Sequence, residues 1–203
     1  MRLLVDTDAF CKLGVAGLLS DTFTVVGVDD SDCGRLAALP YMLRRGGLRK
    51  RYGAVACDGL IPTAEAMQVL PTPSAEWIDR FASLTDVDPG EAQLLASAAE
   101  HHLLLLSGDK RALRAIRNVN GVADALNHRI VVLEAAFIAL LNRLGLDEMR
   151  RRAAALDSMD RTVAICLSPG NSDPLSAFRS YFDSLAAEVQ PLVLWTPKTE
   201  GDA

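Results

Sequence analysis

Residues 88–109, DPGEAQLLASAAEHHLLLLSGD, decide the fold. Asp88 is a strong helix N-cap and Pro89 suits the first helical position, where its missing N–H costs nothing. From Glu91 onward Leu94, Leu95, Ala98 and Ala99 recur at helical spacing. At about 100° per residue, Leu94, Leu95 and Ala98 flank the direction in which Glu91 points. Glu91 therefore has two readings. It heads a buried stripe, where a carboxylate needs a partner, a hydrogen bond or a metal, or it reaches back to Asp88 in a capping box. Leu103 to Leu106 is apolar on both faces, the signature of a strand inside a parallel sheet. Ser107-Gly108-Asp109 then puts a carboxylate just past its carboxyl end, where open α/β sheets carry their sites. Taken alone, Asp109 reads equally well as the N-cap of a helix that begins at Lys110.

A matching acid lies at the start of the chain. Arg2 to Asp6 reads as a short apolar strand ending on a carboxylate, followed by Thr7-Asp8-Ala9-Phe10. An ordinary strand-to-helix turn capped by Asp6 or Asp8 would look the same. Ala9 to Leu19 reads as a helix weakened by Gly14 and Gly17, and the β-branched run Thr22 to Val28 as a second strand. An acidic turn, Asp29-Asp30-Ser31-Asp32, leads into a helical stretch from Cys33 to Arg45 broken at Pro40. Gly53 to Pro73 is irregular around a short helix over Thr63 to Val69. Ser74 caps a helix over Ala75 to Leu84, and Lys110 to Arg117 is a basic amphipathic helix with Lys110, Arg114 and Arg117 on one face. His128 to Leu133 reads as another strand. Strands thus alternate with helices through the first 135 residues, which predicts an α/β domain with a parallel sheet.

Beyond it, Glu134–Leu144 and Asp147–Leu156 read as a helix pair broken at Gly145. Thr162–Leu167 reads as a strand, Pro174–Val189 as a helix, Leu192–Trp195 as a last strand and Thr196–Ala203 as a frayed end. The expected organisation is a domain over residues 1–135 with an α/β extension, 136–203, packed on it. That extension is a candidate for a dimer face, a cover for a sheet edge or a partner's dock.

The 203 residues, half of them hydrophobic, suffice for a proper core. No apolar run approaches a transmembrane span and the amino terminus lacks a signal-peptide layout, so a cytoplasmic protein is expected, with no membrane partner. The four cysteines form no CxxC pair and read as reduced core fillers. His101 and His102 are adjacent and His128 is isolated, which argues against zinc. A net charge of −5 opposes wholesale polyanion binding but permits a local basic patch. Arg44, Arg45, Arg49, Lys50 and Arg51 form such a patch around a Gly-Gly break, between Tyr41 and Tyr52. As a loop it could grip a phosphate backbone and stack a base, or it could meet the chain's own acids.

Asp6 and Asp109 close apolar strands and Glu91 heads the helix before one of them. If those strands are neighbours, three carboxylates converge, and like charges that close need a cation between them. A hard divalent ion, Mg²⁺ or Mn²⁺, takes such oxygen ligands and suits phosphodiester hydrolysis. These residues resemble the PIN domains. LLVDTDAF is similar to that family's first strand and first acid. GEAQLLASAAEHHLLLLSGDKRAL is similar to its later helix–strand–helix block, with an acid opening the helix and a T/S-x-D after the strand. The resemblance covers roughly residues 2–135. It implies a three-layer α/β/α fold around a mainly parallel sheet, and a Mg²⁺- or Mn²⁺-dependent endoribonuclease with Asp6, Glu91 and Asp109 as metal acids. The basic patch, Lys110 and Arg111 would then hold RNA. Many members of the family are toxins held inactive by a small antitoxin protein.

Two departures bear on that expectation. The family's helix after the second strand usually carries a Glu, and here Asp30 and Asp32 at its start are the substitutes. The acid that often follows T-x-D by two residues is Arg111 in this chain. A non-cutting PIN-like module that binds RNA or a protein is therefore the second reading. A phosphohydrolase of the haloacid dehalogenase kind, suggested by Asp6-Thr7-Asp8, is the third. It is weakened by Phe10, where that family needs Thr or Val.

Overall fold

A computed structural model describes residues 1–197. The chain runs β1 (Leu3–Val5), α1 (Thr7–Val15), α2 (Leu19–Val26), β2 (Cys33–Arg35), α3 (Leu39–Arg44) and α4 (Gly47–Tyr52). It continues through α5 (Ala54–Ala66), β3 (Gln68–Val69), α6 (Ala75–Ala82), α7 (Pro89–Glu100), β4 (Leu104–Ser107), α8 (Lys110–Ile116) and α9 (Val122–Leu126). β5 (Ile130–Val132) is followed by helices only, α10 (Leu133–Leu144), α11 (Leu146–Ala153), α12 (Arg161–Cys166) and α13 (Pro174–Glu188). The strands form one all-parallel sheet in the order β3-β2-β1-β4-β5. This is the expected three-layer α/β/α arrangement.

Alternation along the strands divides the interior in two. Leu3, Val5, Leu106 and Val131 face one core with Phe10, Phe137 and Phe178. Leu4, Leu105, Ile130 and Val132 face the other with Phe81, Leu94 and Leu95. Both cores draw on residues after 135, among them Phe137 and Phe178 in the first and Leu185 and Leu192 in the second. Phe137 of α10 stacks on Phe178 of α13 with ring centroids 5.2 Å apart.

Several elements differ from the sequence expectation. Thr22 to Val28 is not a strand: Thr22 to Val26 belong to α2, whose buried Leu19, Thr22, Phe23 and Val26 lie at i, i+3, i+4 and i+7. Burial at helical spacing overrides the β-branched composition. The helix closes in a Schellman motif, Gly27 adopting φ +78° while Gly27 N–H and Val28 N–H donate to Thr24 O and Phe23 O. The second strand is instead Cys33–Arg35, inside the stretch read as helical. The Met1 thioether packs over Gly34, so a Cβ there would come within 2.5 Å of Met1 Sδ and displace that side chain. Pro40 does not break a helix but lies at the start of α3, where its N–H is not needed.

Arg44–Arg51 is mostly helical rather than one loop: it is the end of α3 and most of α4, with only Arg45 and Gly46 as the bend between them. The region read as irregular holds the 13-residue helix α5, which tolerates Pro62 because Cys57, Leu60 and Ala64 bury one face. Thr162–Leu167 is the helix α12, capped by Asp160, whose side chain accepts from Val163 N–H. Its burial at Val163 and Cys166 follows helical spacing.

Leu192–Trp195 joins no ladder, yet it lies along the outer edge of β5. His128 N–H donates to Val193 O (2.7 Å) and Trp195 N–H to Ile130 O (2.9 Å). One edge of the sheet is thereby covered. The expected frayed end falls largely on residues 198–203, outside the described residues. All four cysteines are free and buried. Among the described residues no single helix is long and apolar enough to cross a membrane.

Candidate active site

The strand order reverses between β1 and β4, and open α/β sheets form their crevices at that switch point. The two strands pair in register, Val5 with Leu106, and Asp6 N–H donates to Leu106 O at 2.9 Å. Asp6 and Asp109 therefore emerge from adjacent strands at the same edge. A cleft of about 800 Å³ opens there, lined by Asp6, Asp8, Asp88, Glu91 and Asp109, with Arg51 its one cation. Leu36, Met42 and Leu48 make its apolar flank.

Of the acids considered as caps, Asp6, Asp88, Glu91 and Asp109 serve as such, while Asp8 lies within the first turn of α1. Asp6 accepts from Asp8 N–H at the start of α1 (3.2 Å), and Asp109 Oδ1 from Arg111 and Ala112 N–H at the start of α8 (2.8 and 3.0 Å). Asp88 and Glu91 complete the capping box of α7. The carboxylates stabilise helix starts, and those starts converge on one cleft.

Their protonation reflects that crowding. Burial lifts Asp6 to about 6, the Asp8 carboxylate adds to the rise, and the N–H groups of Ala9, Thr7 and Asp8 oppose it. Burial lifts Glu91 to about 7, against the Asp88 N–H and with the adjacent Asp109 carboxyl. For Asp109 burial also pushes upward, but the Ala112 N–H, the Glu91 carboxyl and Arg111 outweigh it and hold the group below its usual range. Between the two neighbours, Glu91 is therefore the weaker acid and Asp109 the stronger. Asp6, Glu91 and Asp109 are hard oxygen donors of the kind that Mg²⁺ and Mn²⁺ take. Among the described residues no three such side chains stand close enough together to form a ready-made ion cage.

Asp30 and Asp32 are not in the cleft. They precede β2, at the amino edge of the sheet, and Asp32 pairs with the Met1 amino group at 3.3 Å. Most of the basic residues are tied to acids of the chain. Arg44 bonds Glu65, Arg49 forks onto Asp58, and Arg51 meets Asp8 at 2.7 Å. Lys110 pairs at 2.5 Å with Glu134, which is 3% exposed, and the Arg111 guanidinium lies 3.4 Å from Asp109. Arg45 and Lys50 are exposed and have no carboxylate partner among the described residues.

Two further groups were missed by the sequence reading. Lys12 is buried on α1 and binds Asp8 (2.9 Å) and Asp160 (2.7 Å). The i,i+4 spacing of Asp8 and Lys12 was the available signal. Asp160 gave none, since it lies 148 residues away and before a stretch read as a strand. Comparisons of the chain with protein families, curated proteins and solved structures gave no match.

Proposed function

We propose that the chain is a metal-dependent endoribonuclease of PIN type, acting on RNA phosphodiesters at Asp6, Glu91 and Asp109. One observation carries the reading. At the switch point of a parallel sheet, three carboxylates from separate helix starts line one cleft, and burial raises the pKa of two of them, Asp6 to about 6 and Glu91 to about 7. A bound Mg²⁺ or Mn²⁺ ion would supply a counter-charge, polarise the phosphate and lower the pKa of water. Asp109, held below the usual carboxylate range, would meet the ion already charged, and Glu91, with Asp6 below about pH 6, would give up a proton to it. The capping bonds fix where each carboxylate starts, and the three would have to draw together to share one ion. Arg45 and Lys50, without a carboxylate partner among the described residues, are the residues to meet the RNA backbone, and Arg51 lines the cleft itself. The expected setting is cytoplasmic, with a small antitoxin-like protein as a partner.

A second reading, a module that binds RNA or a protein without cutting, is favoured by the state of Asp109. Its Oδ1 takes two backbone N–H groups and its Oδ2 faces the Arg111 guanidinium. The phosphohydrolase reading has little support, since Asp8, the second acid it needs, is bound by Lys12, Arg51 and Tyr52.

Cleavage of a mixed RNA by the purified protein in Mn²⁺, with EDTA and Asp109→Asn as controls, separates these readings. Cutting that needs both the metal and Asp109 is expected. RNA binding with no cutting under any metal would leave the non-catalytic module.

A further inference from the structure

Beside the carboxylate cleft lies a second groove of about 420 Å³, walled by Ala37, Val69, Thr72, Pro73, Ile78 and Gln93. Ala37 and Gln93 line both, so the two concavities share a wall. Their chemistry differs. The cleft carries five carboxylates, whereas no ionisable side chain lines the groove. A phosphate would find no counter-charge there, but a neutral aromatic heterocycle would find apolar faces and amide-type partners. Val69, 52% exposed, stands in β3, the edge strand of the sheet, so this wall of the groove meets solvent.

The groove is built, not slack. Leu70 N–H donates to Arg35 O (2.9 Å), Ser97 Oγ to Pro71 O (3.0 Å) and Ser74 N–H to Glu100 Oε2 (2.6 Å). These bonds pin the proline-bearing segment 70–74 against β2 and α7. Gln93 stands in the second turn of α7, exposed, and its side-chain amide has no hydrogen-bond partner among the described residues. An amide offers a donor and an acceptor side by side, the pattern that reads a base edge.

We propose that this groove is a subsite for an unpaired nucleobase next to the phosphate held at the carboxylates, with the Gln93 amide reading its edge. The proposal rests on the ribonuclease reading for where the phosphate lies. It makes the substrate single-stranded, because a paired base cannot be turned out into a side groove.

The test is the affinity of the whole protein for short fluorescent homopolymers of A, C, G and U at one fixed salt concentration, read by anisotropy, with cleavage followed in parallel. The wild type should favour one base about ten-fold, as a well-made side-chain–base pair does. Gln93→Leu should level the four affinities, and Val69→Glu, which places a carboxylate in the groove, should weaken all of them. Both positions are exposed, and an unchanged thermal midpoint checks the fold. Equal wild-type affinities, or a preference that survives in Gln93→Leu, would overturn the subsite. Base-selective binding without cutting would sink the hydrolytic reading and keep the subsite; cutting without base preference would do the reverse.

Discussion

The phenolic oxygen of Tyr52 donates to Asp8 Oδ1 at 2.5 Å, joining the end of α4 to the first turn of α1 beside the cleft. The same carboxylate receives Arg51 at 2.7 Å and Lys12 at 2.9 Å, and Lys12 passes on to Asp160. Charges therefore alternate from Arg51 at the cleft through Asp8 and Lys12 to the start of α12. Asp8 is fully engaged, which removes it from the free acids and gives it a positioning part. The helices after β5 reach the base of the site through Asp160.

Lys12 is the centre of that chain. Burial alone would lower its pKa, but its bonds to Asp160 and Asp8 outweigh this and raise it, so the side chain stays charged. Lys12→Met would leave two carboxylates short of a cation, and a loss of about 2–4 kcal/mol is expected in urea unfolding. Asp160 is held below its usual range by Lys12 against the opposing effect of burial. Its contribution is thus present above about pH 4 and lost as pH falls. A variant as stable as the wild type would show that the pair is merely tolerated.

Asp6 behaves in the opposite sense. Its folded pKa, about 6, is above the usual carboxylate value, so the folded protein binds more protons than the unfolded chain between about pH 4 and 6. Wild-type stability should fall as pH rises through that window. Asp6→Asn keeps the cap of α1 and removes the buried charge. It should stabilise the protein by roughly 1–3 kcal/mol at pH 7.5, with the gain vanishing below about pH 4. Denaturant titrations at the two pH values decide the matter, and a destabilised variant at pH 7.5 would refute it.

Mn²⁺ should act on the same groups. At a hundred-fold excess over Kd, binding is worth about 2.7 kcal/mol, or roughly 5–10 °C in thermal midpoint for a chain of this size. Protons leave Glu91 and Asp6 as it binds, so affinity should rise between pH 6 and 7. Calorimetry in two buffers of different ionisation enthalpy reads the released protons. Asp109→Asn should lose most of the thermal shift; an equal shift in both proteins would place the ion elsewhere.

The carboxylates at the switch point were legible because each is fixed by local grammar. Asp88-Pro89-Gly90-Glu91 announces a helix start, and Leu103–Leu106 is too apolar for anything but a buried strand. What failed were the strand Cys33–Arg35 and the helices α2, α5 and α12. Cys33–Arg35 has no room for a period-2 pattern, and α2 and α12 carry β-branched residues whose helical spacing only burial makes decisive. Asp160 and Glu134 were invisible for another reason. Their partners, Lys12 and Lys110, are brought to them by the tertiary fold alone.

That distinction sorts the cations expected to hold RNA. Lys110 neutralises the buried Glu134 and lies 5.6 Å over the Tyr181 ring, so Lys110→Ala should destabilise the fold by about 3 kcal/mol through an unpaired buried carboxylate. Arg45 and Lys50 have no such duty. Replacing both by Ala should leave the thermal midpoint within about 1 °C, since exposed charges away from a partner contribute little. RNA affinity should instead fall, and the slope of log K against log salt should shrink by about 1.4, near 0.7 for each phosphate contact to a single strand. A slope unchanged by the double substitution would show that α3 and α4 do not face the RNA, leaving Arg51 at the cleft as the one cation placed to meet it.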